Sequence, residues 1–225
     1  MVVPVHRNAR TLDELHSRLS AALSTEADAR MVFVDDSCPE GSAEVLSRLQ
    51  GVDPRVAVVR HATNMGQHRA VLTGLGVARG WTVIMDADLQ DPPEAVPLLL
   101  ERARGGGVEV VFGGRRGRYQ GAARTMTGRA YRRVLASLTG LPADAGMFCA
   151  INEDVARRLV ALRGPSPSVV AMIAATRPRV TSIPVVRARR RDDASAYTVT
   201  ARVRSAWRAF RWVAWARRTR APEAT

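Results

Sequence analysis

The residues best able to do chemistry in this sequence lie in Met85-Asp86-Ala87-Asp88-Leu89-Gln90-Asp91-Pro92-Pro93. Two carboxylates one residue apart, at the end of an apolar run, aim their oxygens into one crevice if the strand bends there. A hard divalent cation such as Mg2+ prefers oxygen ligands and is held by one or two carboxylates together with substrate phosphates. Held there, it neutralises a diphosphate as charge develops on it. The competing reading is an acidic turn that caps the next helix, and the position after an apolar strand disfavours it. A second string, Val34-Asp35-Asp36-Ser37, places a carboxylate where it can accept hydrogen bonds from a base or ribose, or where Asp36 or Ser37 simply caps a helix. In a third, Asn64-Met65-Gly66-Gln67-His68-Arg69, a glycine turn opens a helix whose free N–H groups suit an anion or a sugar hydroxyl. Alone, that string reads as an Asn cap with a tight turn.

The elements that must position these strings alternate β-branched runs with helical periodicity, the pattern of a mostly parallel sheet flanked by helices. Strands are expected at Val2–Val5, Met31–Val34, Arg55–Val59, Thr82–Met85 and Val108–Phe112, the last closed by Gly113-Gly114. Helices are expected at Thr11–Leu23, Ala43–Leu49, Gln67–Ala78 and Pro93–Arg104, the last opened by proline in its first turn. The strings at Asp35-Asp36 and Asp86–Asp88 then fall at carboxyl ends of strands, where open α/β sheets bind ligands. Residues 115–140 are Arg-rich and helical in pattern. Asn152–Leu162 reads as a helix, and Val180–Val186 as an edge strand because it carries Pro184. The expected fold class is α/β with one domain over residues 1–195, followed by a basic aromatic helix and tail over residues 196–225.

Composition narrows the partners. The chain has 225 residues, 46% hydrophobic and 24% charged, with a formal net charge of +13. That describes one folded domain whose cationic surface favours anionic partners. All its Lys-or-Arg positions are Arg. Cys38 and Cys149 form neither a disulfide framework nor a zinc site, so a reducing cytoplasm is the expected compartment. No run approaches the roughly 20 apolar residues that span a bilayer, and Met1–Val5 lacks the form of a signal peptide. Cys38, Cys149, His61 and His68 receive no role.

Taken in order, Val3-Pro4-Val5, Val34-Asp35-Asp36-Ser37, Asn64-x-Gly66-Gln67-His68 and Asp86-Ala87-Asp88-Leu89-Gln90-Asp91-Pro92-Pro93 resemble glycosyltransferase family 2. More narrowly they resemble its polyprenyl-phosphate (dolichol- and undecaprenyl-phosphate) glycosyltransferases. The similarity continues through Phe112-Gly113-Gly114-Arg115, Asp144-Ala145-Gly146-Met147-Phe148 and Ser195-x-Tyr197-Thr198. The resemblance implies a Rossmann-like fold of the GT-A type. It implies that Pro4, His6, Asn8 and Asp36 line the nucleotide pocket, with Asp36 reaching the base, and that Asn64 and Gly66 border it. Asp86 would sit by the ribose and diphosphate, while Asp88 and Gln90, with Asp86, would ligate Mg2+ or Mn2+. Arg115 would face the donor phosphates or the acceptor, and one of Arg189, Arg190 and Arg191 would close over the diphosphate. Asp144 would lie beside sugar and acceptor, positioning the nucleophile or acting as base. One departure is plain: His6-Arg7-Asn8 stands where the family commonly has Tyr-Asn-Glu, which bears on nucleobase choice.

The implied reaction is inverting transfer of a sugar from a nucleotide-sugar donor, UDP-, GDP- or dTDP-linked, to a lipid phosphate. The alternative acceptor is a hydroxyl of a small molecule or soluble glycan. The tail bears on that choice. Trp207, Phe210 and Val213 share one helical face and Arg204, Arg208 and Arg211 another, as in a helix lying on an anionic membrane surface. The other reading packs that face on the domain. Peripheral attachment to the inner membrane face is therefore the alternative to a free cytoplasmic protein. Charge alone would also admit nucleic acid, but no nucleic-acid module is present and none is expected as partner.

Overall fold

Alternation along each strand decides the architecture. Val2, Val34, Ile84, Val110, Phe112, Cys149 and Ile151 pack into one buried cluster. Val3, Val5, Phe33, Val83, Met85, Val111 and Ala150 pack into another. A sheet apolar on both faces must be covered on both. The computed structural model describes residues 1–116, 140–162 and 168–188, with backbone only for Arg115 and Arg116. The strands are β1 (Val2–Val5), β2 (Met31–Asp35), β3 (Val56–Arg60), β4 (Thr82–Ile84), β5 (Val110–Arg116), β6 (Cys149–Ile151) and β7 (Val180–Val186). They form one seven-stranded sheet in the order β3-β2-β1-β4-β6-β5-β7. β6 runs antiparallel to both β4 and β5, and β5 pairs parallel with β7. The α/β expectation holds, and β7 is an edge strand as its proline predicts.

Helices α1 (Leu12–Ala22), α2 (Ser42–Val52) and α4 (Val96–Arg104) contribute to one cluster. Helices α3 (Gln67–Val77), α5 (Glu153–Ala161) and α6 (Val169–Thr176) contribute to the other. Leu12, Leu15 and Leu19 of α1 are wholly buried, each stabilising by about 1.5–3 kcal/mol relative to exposure. α5 is capped by Asn152, whose Oδ1 accepts from Val155 N at 2.9 Å, and α6 by Ser168, whose Oγ accepts from Ala171 N at 3.1 Å.

Two expectations need correction. Gly113-Gly114 does not close β5, which continues through both to Arg116. A Cβ on Gly113 would lie 2.4 Å from the Phe148 ring, and one on Gly114 would lie 1.9 Å from Asp144 Oδ2. The glycines mark close approach of other groups to a strand. Short β6 and apolar α6 were not anticipated, because a three-residue strand and a run without polar alternation carry little periodicity. The helical expectation over 115–140 fails at Arg115 and Arg116, which end β5; residues 117–139, like the basic tail over 196–225, lie outside the described residues.

Candidate active site

Proline in a central strand normally forfeits a ladder bond, and Pro4 in β1 shows why it is tolerated. β1 pairs with β4 at Val2 alone, and Met85 N donates to Val2 O. Even-numbered residues of β1 thus face β4, and the missing N–H of Pro4 points where the two strands have already parted. The three strings converge beside that parting, at the carboxyl ends of the strands.

On one side lies the β2 exit. Asp36 is 1% exposed, and both its oxygens are engaged. Oδ1 accepts from His61 Nδ1 and from Met65 N, each at 2.8 Å, and Oδ2 accepts from Gly66 N at 2.7 Å. Burial works against its charge, but the bonds from His61, Met65 and Gly66 prevail and hold the carboxyl below its usual range. Three of the roughly four acceptor sites of this carboxylate are thus engaged inside the protein, fixing the Asn64–Gly66 turn. Neither Asp36 nor Ser37 caps α2, whose N-cap is left-handed Gly41. His61 continues the chain of contacts, with Nε2 2.9 Å from Thr73 Oγ1 on α3. Above this buried cluster, Asn64 Nδ2 lies 3.1 Å from His6 Nε2, so the exits of β1 and β3 meet. Asn8 precedes a 3-10 turn at Ala9–Thr11, and Thr11 Oγ1 donates to Ala87 O at 2.6 Å, tying that turn to the acidic loop. Pro4 itself is buried in β1.

The acidic loop leaves β4 and is held in several ways. Gln67 Nε2, at the start of α3, donates to Asp86 Oδ1 at 2.6 Å. Gln90 N donates to Asp88 Oδ1 at 3.0 Å. Leu89 adopts φ 58, an uncommon conformation for a bulky residue and one that clusters at ligand sites. Asp91 forms a bidentate pair with Arg187, their side chains 1% and 10% exposed. Ala188 N donates to Gln90 O at 2.9 Å. Burial penalises the charge of Arg187, yet its bonds to Asp91 and the nearby charges of Asp91, Asp86 and Asp88 hold its pKa above the usual value. The end of β7 is thereby bolted to the loop.

Asp144 arrives on the segment before β6. Its Oδ2 accepts from Ser182 Oγ at 3.0 Å, in the space left by Gly114. Asp86, Asp88 and Asp144 are all half-buried. Arg115 lies in β5 opposite Val185; Arg189 and Arg191 lie outside the described residues.

Asp86, Asp88 and Gln90 offer hard oxygen donors, and among the described residues Asp88 forms no ion pair. This donor set fits Mg2+ or Mn2+ completed by phosphate oxygens. Among the described residues there is no cluster of three or more His, Cys, Asp or Glu side chains able to hold a metal. Reading residue types missed Gln67, His61, Thr73, Ser182 and Arg187. Of these only Gln67 carried a signal, its place in the Gly66-Gln67-His68 string. Cys38 and Cys149 are free thiols. Burial, followed by the charges of Asp91 and Asp86, pushes the Cys149 thiol far up, so it stays unreactive.

Comparison with known proteins identifies the family and the fold. The model of the family described as Glycosyl transferase family 2 matches residues 1–159. An uncharacterized glycosyltransferase of Bacillus subtilis is 29% identical over 192 residues, covering 83% of this chain and 59% of that protein. An undecaprenyl-phosphate 4-deoxy-4-formamido-L-arabinose transferase of Pseudomonas fluorescens is 32% identical over 204 residues, covering 88% of this chain and 59% of that protein. The chain thus spans less than two thirds of the length of these relatives. Among solved structures, a mannosyltransferase from Pyrobaculum calidifontis in complex with GDP-Man and Mn2+ superposes with TM-score 0.65 at 19% identity, covering 86% of this chain and 57% of that one. Glucosyl-3-phosphoglycerate synthase from Mycobacterium tuberculosis gives TM-score 0.68 at 15% identity, covering 98% and 80%. The fold is the GT-A fold of these structures, and the chain belongs to glycosyl transferase family 2.

Proposed function

We propose that this chain transfers a sugar, with inversion, from a nucleotide-sugar donor to a polyprenyl-phosphate-type acceptor with the help of Mg2+ or Mn2+. The observation that carries the reading is the Asp86/Asp88 pair at the end of β4, on a loop fixed by Gln67 and Arg187 and ringed by the β1, β3 and β7 exits. The relatives' names, which include an undecaprenyl-phosphate transferase, support the acceptor class. When bound, the metal would supply Lewis-acid stabilisation of the leaving diphosphate.

The chain's own residues do the remainder. His6, Asn8, Asn64 and Gly66 border the nucleoside. Asp86 faces ribose and diphosphate and, together with Asp88 and Gln90, holds the ion. Arg115, Arg189 and Arg191 are assigned to donor or acceptor phosphates, where a planar guanidinium binds two oxygens at once. A lipid phosphate is already ionised near neutral pH, so Asp144 need only orient it toward the anomeric carbon. The half-buried Asp144 on Ser182 also favours a second reading, a hydroxyl acceptor of a soluble molecule with Asp144 as base. The basic tail over 196–225 would place the chain against an anionic leaflet in the first reading.

The test combines donor and metal. UDP-, GDP- and dTDP-sugars are screened for thermal stabilisation that requires Mg2+ or Mn2+. One nucleotide class is expected to stabilise only with metal, and Asp88→Ala is expected to abolish that effect and turnover. Near-full turnover by Asp88→Ala would overturn the assignment. Liposome flotation separates the acceptors: an intact chain that leaves anionic vesicles unbound argues for the soluble one.

A further inference from the structure

The segment 64–67, which leads into α3, touches three parts of the site. Within four consecutive residues, Asn64 meets His6, Met65 N and Gly66 N bind Asp36, and Gln67 binds Asp86. Gly66, at φ 88, makes this close succession possible, because side-chain-bearing residues rarely adopt that conformation. Farther along the helix Thr73 meets His61, which itself binds Asp36. α3 is therefore tied to Asp36 at two points more than one helical turn apart, and its first turn cannot shift without breaking buried bonds.

Gln67 is exposed, so packing does not dictate its rotamer. Among the described residues its side chain makes one hydrogen bond, the 2.6 Å donation to Asp86 Oδ1. The chemistry of that donor is selective. An amide N–H fixes a carboxylate's orientation and occupies one lone-pair direction while leaving its full negative charge. A cationic donor there would also orient Asp86, but would oppose a second cation. Hydrogen-bond partners that orient a ligand typically govern metal affinity by about 10–100-fold.

We propose that Gln67 is a positioning residue for the metal: it transfers the rigidity of the Asp36–His61 cluster to Asp86, presenting that carboxylate to the ion at a fixed distance from the nucleoside end of the crevice. This rests on the metal assignment of the proposed function. It adds a residue that never touches donor or ion, and it makes the spacing between nucleoside and metal a property of α3.

The experiment measures Mn2+ binding to the full chain by the loss of the free-ion electron paramagnetic resonance signal, with no sugar donor. Wild type, Gln67→Ala, Asp86→Asn and the double variant are compared. Gln67→Ala is expected to weaken Mn2+ by about tenfold or more, with unchanged melting temperature and unchanged UDP or GDP binding in EDTA. The double variant is expected to match Asp86→Asn alone, because Gln67 acts through Asp86. Excess Mn2+ is expected to restore turnover in Gln67→Ala. Wild-type Mn2+ affinity in Gln67→Ala, or effects that add fully in the double variant, overturns the role of Gln67 and leaves the metal site standing. Failure of the wild-type chain to bind Mn2+ sinks the metal assignment itself, and this proposal with it.

Discussion

Replacing Arg187 with methionine keeps most of its volume and removes its charge, leaving Asp91 with a side chain 1% exposed and, among the described residues, no cation in bonding contact. Breaking a buried pair from one side costs about 3–5 kcal/mol, against about 0–1 kcal/mol for an exposed pair. In a domain of this size each kcal/mol moves the midpoint by about 2–4 °C, so a loss of roughly 6–20 °C is expected. The reverse change is milder. With Asp91→Leu, Arg187 still feels the charges of Asp86 and Asp88, so part of its compensation survives. The double variant, Asp91→Leu with Arg187→Met, removes both charges and is expected to recover most of the loss. Urea denaturation followed by far-ultraviolet circular dichroism on all four proteins gives the coupling energy directly. A cost below about 1 kcal/mol for Arg187→Met would place the pair with exposed ion pairs. So would a double variant no more stable than the worse single one. Either result would refute the claim that a buried charge pair bolts β7 to the acidic loop.

Burial of His68 lowers its pKa from 6.5, and its Nδ1 accepts from Val169 N at the start of α6. The unfolded chain therefore takes up that proton first, and stability should fall as pH drops from about 7.5 to about 5.5. His68→Gln keeps an acceptor and should flatten that part of the profile; denaturation at the two pH values checks it, and an unchanged slope counts against it. Gly114→Ala places a Cβ 1.9 Å from Asp144 Oδ2 and 2.3 Å from Ser182 Oγ. It should cost about 1–3 kcal/mol and lower turnover by displacing Asp144. Gly51→Ala, in a helix with nothing within 4 Å, should be neutral or stabilising by about 0.5–1 kcal/mol. Equal stability of the two variants would show that Gly114 is not a contact glycine.

The parts of the fold legible in the sequence were those with strong periodicity. The leucines of α1 and the β-branched runs of β1 to β4 placed these elements to within a residue or two, and with them the three strings at one end of the sheet. What stayed hidden depended on contacts between distant segments. Gly113-Gly114 has the local look of a strand end, and only Phe148 and Asp144 explain it. Nothing local to Asp36 shows that its carboxylate is buried. Its partners, His61 and two backbone N–H groups, come from a different strand exit. Arg187 was indistinguishable from the other arginines until β7 took its position beside the acidic loop.

The reversed strand β6 has a consequence for how the protein can vary. In a wholly parallel sheet only residues downstream of a strand reach the ligand rim, yet Asp144 arrives from upstream of β6. β5 ends at that rim, with Gly114 beside Asp144. The carboxyl end of β5 and the amino end of β6 therefore lie on the same side of the sheet. A connection between two such ends can change in length without disturbing either strand's register, since closing a longer loop costs only about 0.6 kcal/mol per doubling. Such changes leave the bonds of Gln67 and Arg187 to the acidic loop as they are.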